Sequence, residues 1–147
     1  MTLSTLYTIG YQGHTIESFL ELLHAHHIEQ VLDIRRRPYS RKPGFSRRRL
    51  SEELQRANIA YDHLIDLGTP PPLLDEVRST RDYDTFFRAF EHYLQSQPAA
   101  LNEALQHAQQ RRSALLCLET LPTQCHRSSV ATMLERQAQG TLMIEHL

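Results

Sequence analysis

The chain has 147 residues, 40% of them hydrophobic and 22% charged, with a formal net charge of −1. That length suits one domain burying its own core, and the composition excludes a disordered or fibrous chain. No run of about 18 apolar residues is present, the N-terminus lacks the basic and apolar regions of a secretory signal, and two cysteines are too few for a disulfide framework, so a cytoplasmic protein with no membrane association is expected.

In chain order, Leu6–Ile9 predicts a short strand that ends at Gly10. A glycine-punctuated turn, Gly10-Tyr11-Gln12-Gly13, follows, and Thr15 caps a helix with Ile16, Phe19, Leu20, Leu22 and Leu23 on one face. A capping box wants glutamate or glutamine three places after the cap; that place holds Ser18. Val31–Ile34 predicts a buried strand, and a basic loop leads to a second helix, capped by Ser46 and running to about Ala57. Ile59–Leu64 predicts a third strand. Gly68-Thr69-Pro70-Pro71-Pro72 reads as a rigid breaker, and Leu73–Thr80 as a mobile surface excursion. Aromatics at helical spacing from Tyr83 to Leu94 predict a helix whose rings enter the core; Pro98 opens another that runs to about Arg111. Ala114–Leu118 predicts a strand, Cys125 to about Ala138 a helix stopped by Gly140, and Leu142–Ile144 a last strand.

Strands alternating with helices predict an α/β fold: one domain over residues 1–147, a three-layer sandwich with a mostly parallel, Rossmann-like sheet and helices on both faces. In such sheets ligands gather beyond the carboxyl ends of the strands. The loops after Ile9, Ile34, Leu64 and Leu118 are expected to meet there.

Charge is segregated. Between Arg35 and Arg49 lie 8 of the 16 lysines and arginines with no acid, which leaves eight bases against 17 acids elsewhere. Tyr39, Ser40 and Phe45 are interleaved with them. Guanidinium forks grip phosphates and aromatic rings stack on bases, so Arg35, Arg37 and Ser40 are candidate anion contacts. Asp33, two places before Arg35, forms a structural ion pair with it or binds a ligand.

The Cys125-His126-Arg127 segment opens the last helix. A helix start carries unpaired N–H groups and partial positive charge, which attract anions and lower the pKa of a nearby thiol; Arg127 and a protonated His126 push the same way. Candidate catalytic groups are therefore Cys125, His63, Glu119 and Asp33. Tyr11, Gly13, Cys117, His126 and Arg127 join the candidate substrate contacts, although Cys117 also suits plain packing in its apolar strand. A phosphatase loop needs arginine six places after the cysteine, and that place holds Ala131. A zinc site from Cys117, Cys125, His126 and His63 fits no common ligand spacing, so no metal or cofactor is predicted.

Taken together, Thr8–Gly13, Leu32-Asp33-Ile34-Arg35 with Pro38, Ser40 and Gly44-Phe45, Tyr61-Asp62-His63-Leu64 with Leu67-Gly68, Leu116–Glu119 with Pro122, Cys125-His126-Arg127 and Ile144–Leu147 resemble the bacterial and archaeal family called domain of unknown function 488. The resemblance covers nearly the whole chain. It implies a compact α/β domain and hands over no reaction. The chain departs from the family pattern at Thr69, where a second glycine is common, and at Ile65, where proline is common.

The function these residues point to is an intracellular enzyme acting on a phosphate-bearing ligand, a nucleotide or nucleic acid, with the anion at the Cys-His-Arg helix start. The alternatives are a non-catalytic nucleic-acid-binding module that uses Arg35–Arg49, and an adaptor that docks acidic proteins on the same segment.

Overall fold

A computed structural model describes residues 3–118 and 126–147. Five strands, β1 (Ser4–Gly10), β2 (Gln30–Asp33), β3 (Ala60–His63), β4 (Ser113–Cys117) and β5 (Leu142–His146), form one sheet in the order β3-β2-β4-β1-β5. Every pairing is parallel, with Gly10 beside Cys117 and Asp33 beside both Leu116 and His63. The strand ends therefore lie in register along one edge. This is the parallel α/β sheet that the alternation of elements predicts.

Side-chain alternation along the strands splits the core in two. Tyr7, Val31 and Ala114 face a cluster with Phe19 and Leu23 of α1 (Ile16–Ala25) and Leu50 and Leu54 of α2 (Arg47–Arg56). Leu6, Leu32 and Leu115 face the opposite cluster. There they meet α4 (Tyr83–Gln95), α5 (Pro98–Gln110) and α6 (Arg127–Ala138). The rings of α4 enter this core as expected, with Phe86 and Phe90 stacked 5.9 Å apart.

Three local expectations change. Ser18 does close the capping box of α1: its amide donates to Thr15 Oγ1 at 3.1 Å, and its own hydroxyl oxygen accepts the Thr15 amide at 3.0 Å. A serine oxygen reaches as far as this geometry needs. Ser46 does not cap α2 with its side chain. Its hydroxyl turns back instead, accepting the Ser40 amide and donating to the Ser40 carbonyl, both at 3.0 Å, and so staples the basic loop. Residues 71–80 are not an excursion but a helix, α3 (Pro71–Thr80). Proline is pre-set for the first helical turn, and Leu73, Leu74 and Val77 are spaced to lie on one face against the core.

Candidate functional site

Beyond the strand ends opens a cleft of about 360 Å³. Its wall is assembled from Tyr11 after β1, Arg35, Arg36, Arg37 and Tyr39 after β2, Thr69 just before α3, Pro71, Leu74, Asp75 and Arg78 on α3, and Leu118 and His126 at the flanks of β4 and α6. Four arginines line it, against one acidic residue, Asp75.

The floor is a closed knot. Period-two alternation puts Asp33 and Arg35 on one face of the strand exit. Arg35 grips the Asp33 carboxylate with Nε at 2.8 Å and Nη2 at 2.7 Å, while its amide donates to the same group at 3.1 Å. Tyr61 donates its hydroxyl to Asp33 Oδ2 at 2.6 Å. Two bonds on each oxygen use the full acceptor capacity of a carboxylate, so Asp33 has no lone pair left for a ligand. Arg35 also donates Nη1 to the Phe45 carbonyl at 2.6 Å and lies over the Tyr11 ring, which stacks on Phe45. Burial alone lowers the Arg35 pKa, but hydrogen bonding and attraction to Asp33 outweigh it and the pKa rises. Burial, then the Asp33 charge, pushes the Tyr61 phenol up, so it remains a donor.

The wall above is open. Arg36 is held in place by Nη2, which donates to the Gly68 carbonyl at 3.2 Å and to the Tyr93 hydroxyl at 2.8 Å, with the guanidinium over the Tyr93 ring. Its buried Nε has no partner. Among the described residues no carboxylate pairs with Arg36, Arg37 or Arg78. Gly68 is required by proximity: a Cβ there would lie 2.5 Å from the Arg36 amide nitrogen. Thr69, next in sequence, is 3% exposed, and its hydroxyl has no partner. A buried, unpaired hydroxyl costs about 1–3 kcal/mol, which a hydrogen-bonding ligand would recover.

The Cys-His-Arg corner divides. His126 lines the cleft and donates Nε2–H to the Ile34 carbonyl at 2.9 Å. Burial, reinforced by Arg127, lowers its pKa to about 4 although the Ile34 carbonyl opposes the shift. The expected cation is therefore a neutral ring at pH 7. Arg127 is fully enclosed and lies off the cleft wall. Its Nε donates to Thr8 Oγ1 at 3.1 Å and its Nη1 approaches Cys117 Sγ at 3.6 Å. Cys117 is buried in β4. His63 donates Nε2–H to the Arg35 carbonyl at 2.7 Å and shapes the β2 exit from behind. Gly13 takes a positive φ of 87° in its turn, and Ser40 staples the basic loop; neither lines the cleft. Cys125 and Glu119 lie outside the described residues.

The basic run divides as well. On α2, Arg48 pairs with Glu52 at 3.3 Å, and Arg49 and Arg56 pair with Glu53 at 3.2 and 3.0 Å. Asp62, Glu103 and His107 bring donor atoms within 4.8 Å of one another, away from the cleft wall. Among the described residues no helix is long and apolar enough to cross a membrane.

Sequence reasoning passed over Arg36, Thr69, Asp75 and Arg78. Arg36 stands between two residues that were singled out, and alternation alone places it on the opposite side from the Arg35 knot. Asp75 and Arg78 ride on α3 and Thr69 just precedes it; the Pro-Pro-Leu-Leu-x-x-Val pattern is the available signal for that helix.

No curated protein and no solved structure matches the chain. The family model described as Domain of unknown function DUF488 matches residues 15–134, which takes in the arginine-bearing exit of β2, the whole of α3 and most of α6. The chain belongs to the DUF488 family.

Proposed function

We propose that this protein acts on a phosphate-bearing ligand seated in the cleft beyond the strand ends. The observation that carries this reading is the charge of the wall: Arg36, Arg37 and Arg78 face one cleft with no carboxylate paired to them among the described residues. Guanidiniums left open in a concave site match the planar, bidentate demands of a phosphoryl group. Arg35 contributes field rather than fork, since Asp33 already occupies it. His126 also lines that wall, where burial keeps its ring neutral. The nucleic-acid and adaptor alternatives use the Arg35–Arg49 segment, at whose α2 end Glu52 and Glu53 offset Arg48 and Arg49.

Calorimetric titration with inorganic phosphate and pyrophosphate tests the proposal. Binding that weakens with salt is expected, and Arg36→Met with Arg78→Met should reduce it roughly 10- to 100-fold, the value of charged hydrogen bonds. Wild-type protein that takes up neither anion at low salt, or a double variant that binds as well as wild type, would overturn it. Oligonucleotide binding that survives the double variant but is lost on neutralising Arg47, Arg48 and Arg49 would move the function to α2.

A further inference from the structure

We infer that the ligand is a nucleoside monophosphate, its base lying on Tyr39 and its phosphate meeting Arg36 and Arg78. The inference rests on the phosphate reading above and adds the organic part of the molecule.

Three observations point the same way. The first concerns exposed apolar surface. Among the described residues only Leu3, Tyr39, Ile65, Leu118 and Met143 are large hydrophobics left exposed, and two of these five border this one cleft. Tyr39 is 74% exposed, and its ring packs against no other aromatic among the described residues. An unpartnered ring at the mouth of a basic cleft is a platform for a flat aromatic ligand, with Leu118 and Leu74 offering apolar contact nearby.

The second concerns the polar end. Arg36 is immobilised by Tyr93 and Gly68, so its unused donors are already in position. Thr69 lines the same cleft, and its enclosed hydroxyl lacks a partner; rotation about one side-chain bond exchanges it with its methyl group. These groups form a built corner for a single phosphoryl group.

The third concerns what the cleft rejects. Asp75 is the one carboxylate in the wall, and no cation pairs with it among the described residues. It repels a second or third phosphate and accepts a hydrogen bond from a sugar hydroxyl. A volume of about 360 Å³ likewise suits one nucleotide rather than a polymer.

Four probes separate this inference from the one beneath it: inorganic phosphate, ribose 5-phosphate, adenosine 5′-monophosphate and adenosine 5′-triphosphate, titrated against wild type, Tyr39→Ala and Tyr39→Phe. The monophosphate is expected to bind roughly tenfold or more tighter than ribose 5-phosphate, the scale of one base–aromatic stack, and tighter than the triphosphate. Tyr39→Ala should remove that advantage and leave ribose 5-phosphate affinity unchanged, while Tyr39→Phe keeps it. Tyr39 is exposed, so neither variant threatens the fold. If the two monophosphates bind alike, if the triphosphate binds tighter than the monophosphate, or if Tyr39→Ala leaves the nucleotide unaffected, the nucleoside monophosphate is overturned while the phosphate cleft stands. If no probe binds at all, both fall together.

Discussion

Arg35 and Arg36 are adjacent in sequence and opposite in character. Arg35 is buried, and its Nε, Nη1 and Nη2 are all hydrogen-bonded to Asp33 or the Phe45 carbonyl. Arg36 is half-buried, fastened through one nitrogen, and left with a bare Nε, in a cleft where the Thr69 hydroxyl is bare as well. The difference separates scaffold from site. A buried charge whose hydrogen bonds are complete holds strands together and has little left to give a ligand. A positioned cation with incomplete bonding is an unstable arrangement for the free protein, and a ligand completes it.

The strongest way to break the contrast is to open the knot. Asp33→Ala leaves the Arg35 guanidinium buried without its carboxylate and strands the Tyr61 hydroxyl, a loss of about 3–5 kcal/mol by urea unfolding. Asp33→Asn keeps the shape, removes the charge and should fall between that variant and wild type. Arg36→Met should cost only about 1 kcal/mol, the value of its hydrogen bonds to Gly68 and Tyr93. Equal losses from Asp33→Ala and Arg36→Met would erase the distinction between floor and wall.

His126 lines the wall yet behaves as floor, and pH exposes this. Its folded pKa, about 4, lies below the ordinary 6.5. Between those values the unfolded chain binds a proton that the folded one refuses, so stability is full above pH 6.5 and declines as pH falls toward 4. The contribution lost by pH 4 is about 2–3 kcal/mol. His126→Gln removes the titrating ring, so its unfolding free energy should fall less steeply than wild type across that window. Parallel pH profiles would mean that His126 binds its proton equally well in the folded and unfolded chains, so that it belongs with the open wall rather than the floor.

Much of this division is written locally, and its most important part is not. Apolar runs separated by helical spacing mark β1, β2 and β4 without tertiary information. The aromatic spacing of α4 marks a core helix in the same way. The i, i+2 placement of Asp33 and Arg35 at a strand exit makes an ion pair one of two natural outcomes, and the pair forms. Arg36 owes its position to Tyr93, 57 residues away. Thr69, Asp75 and Arg78 enter the cleft only because α3 folds back beside the strand ends. That is a matter of packing against α4, which no local pattern encodes. The Cys-His-Arg segment shows the opposite limit. Its residue types suit an exposed cationic corner, but burial neutralises His126 and encloses Arg127. Desolvation is a property of the assembled fold and is invisible in a tripeptide.

The smallest expected effect is the sharpest test of the wall. Thr69→Val keeps the shape of the side chain and deletes a hydroxyl that has no partner in the free protein. If that hydroxyl is retained for a ligand, the variant should gain about 1 kcal/mol in unfolding free energy while its phosphate affinity falls several-fold, since replacing an unsatisfied buried polar group by an apolar one of the same shape is stabilising. Site and scaffold thus predict opposite signs: removing a bond of the Asp33 knot destabilises, whereas removing this hydroxyl stabilises. Thermal unfolding of the variant with and without phosphate reads both quantities at once. A lower melting temperature in the absence of phosphate would show that the Thr69 hydroxyl is already bonded in the free protein, and the wall would then be scaffold like the floor beneath it.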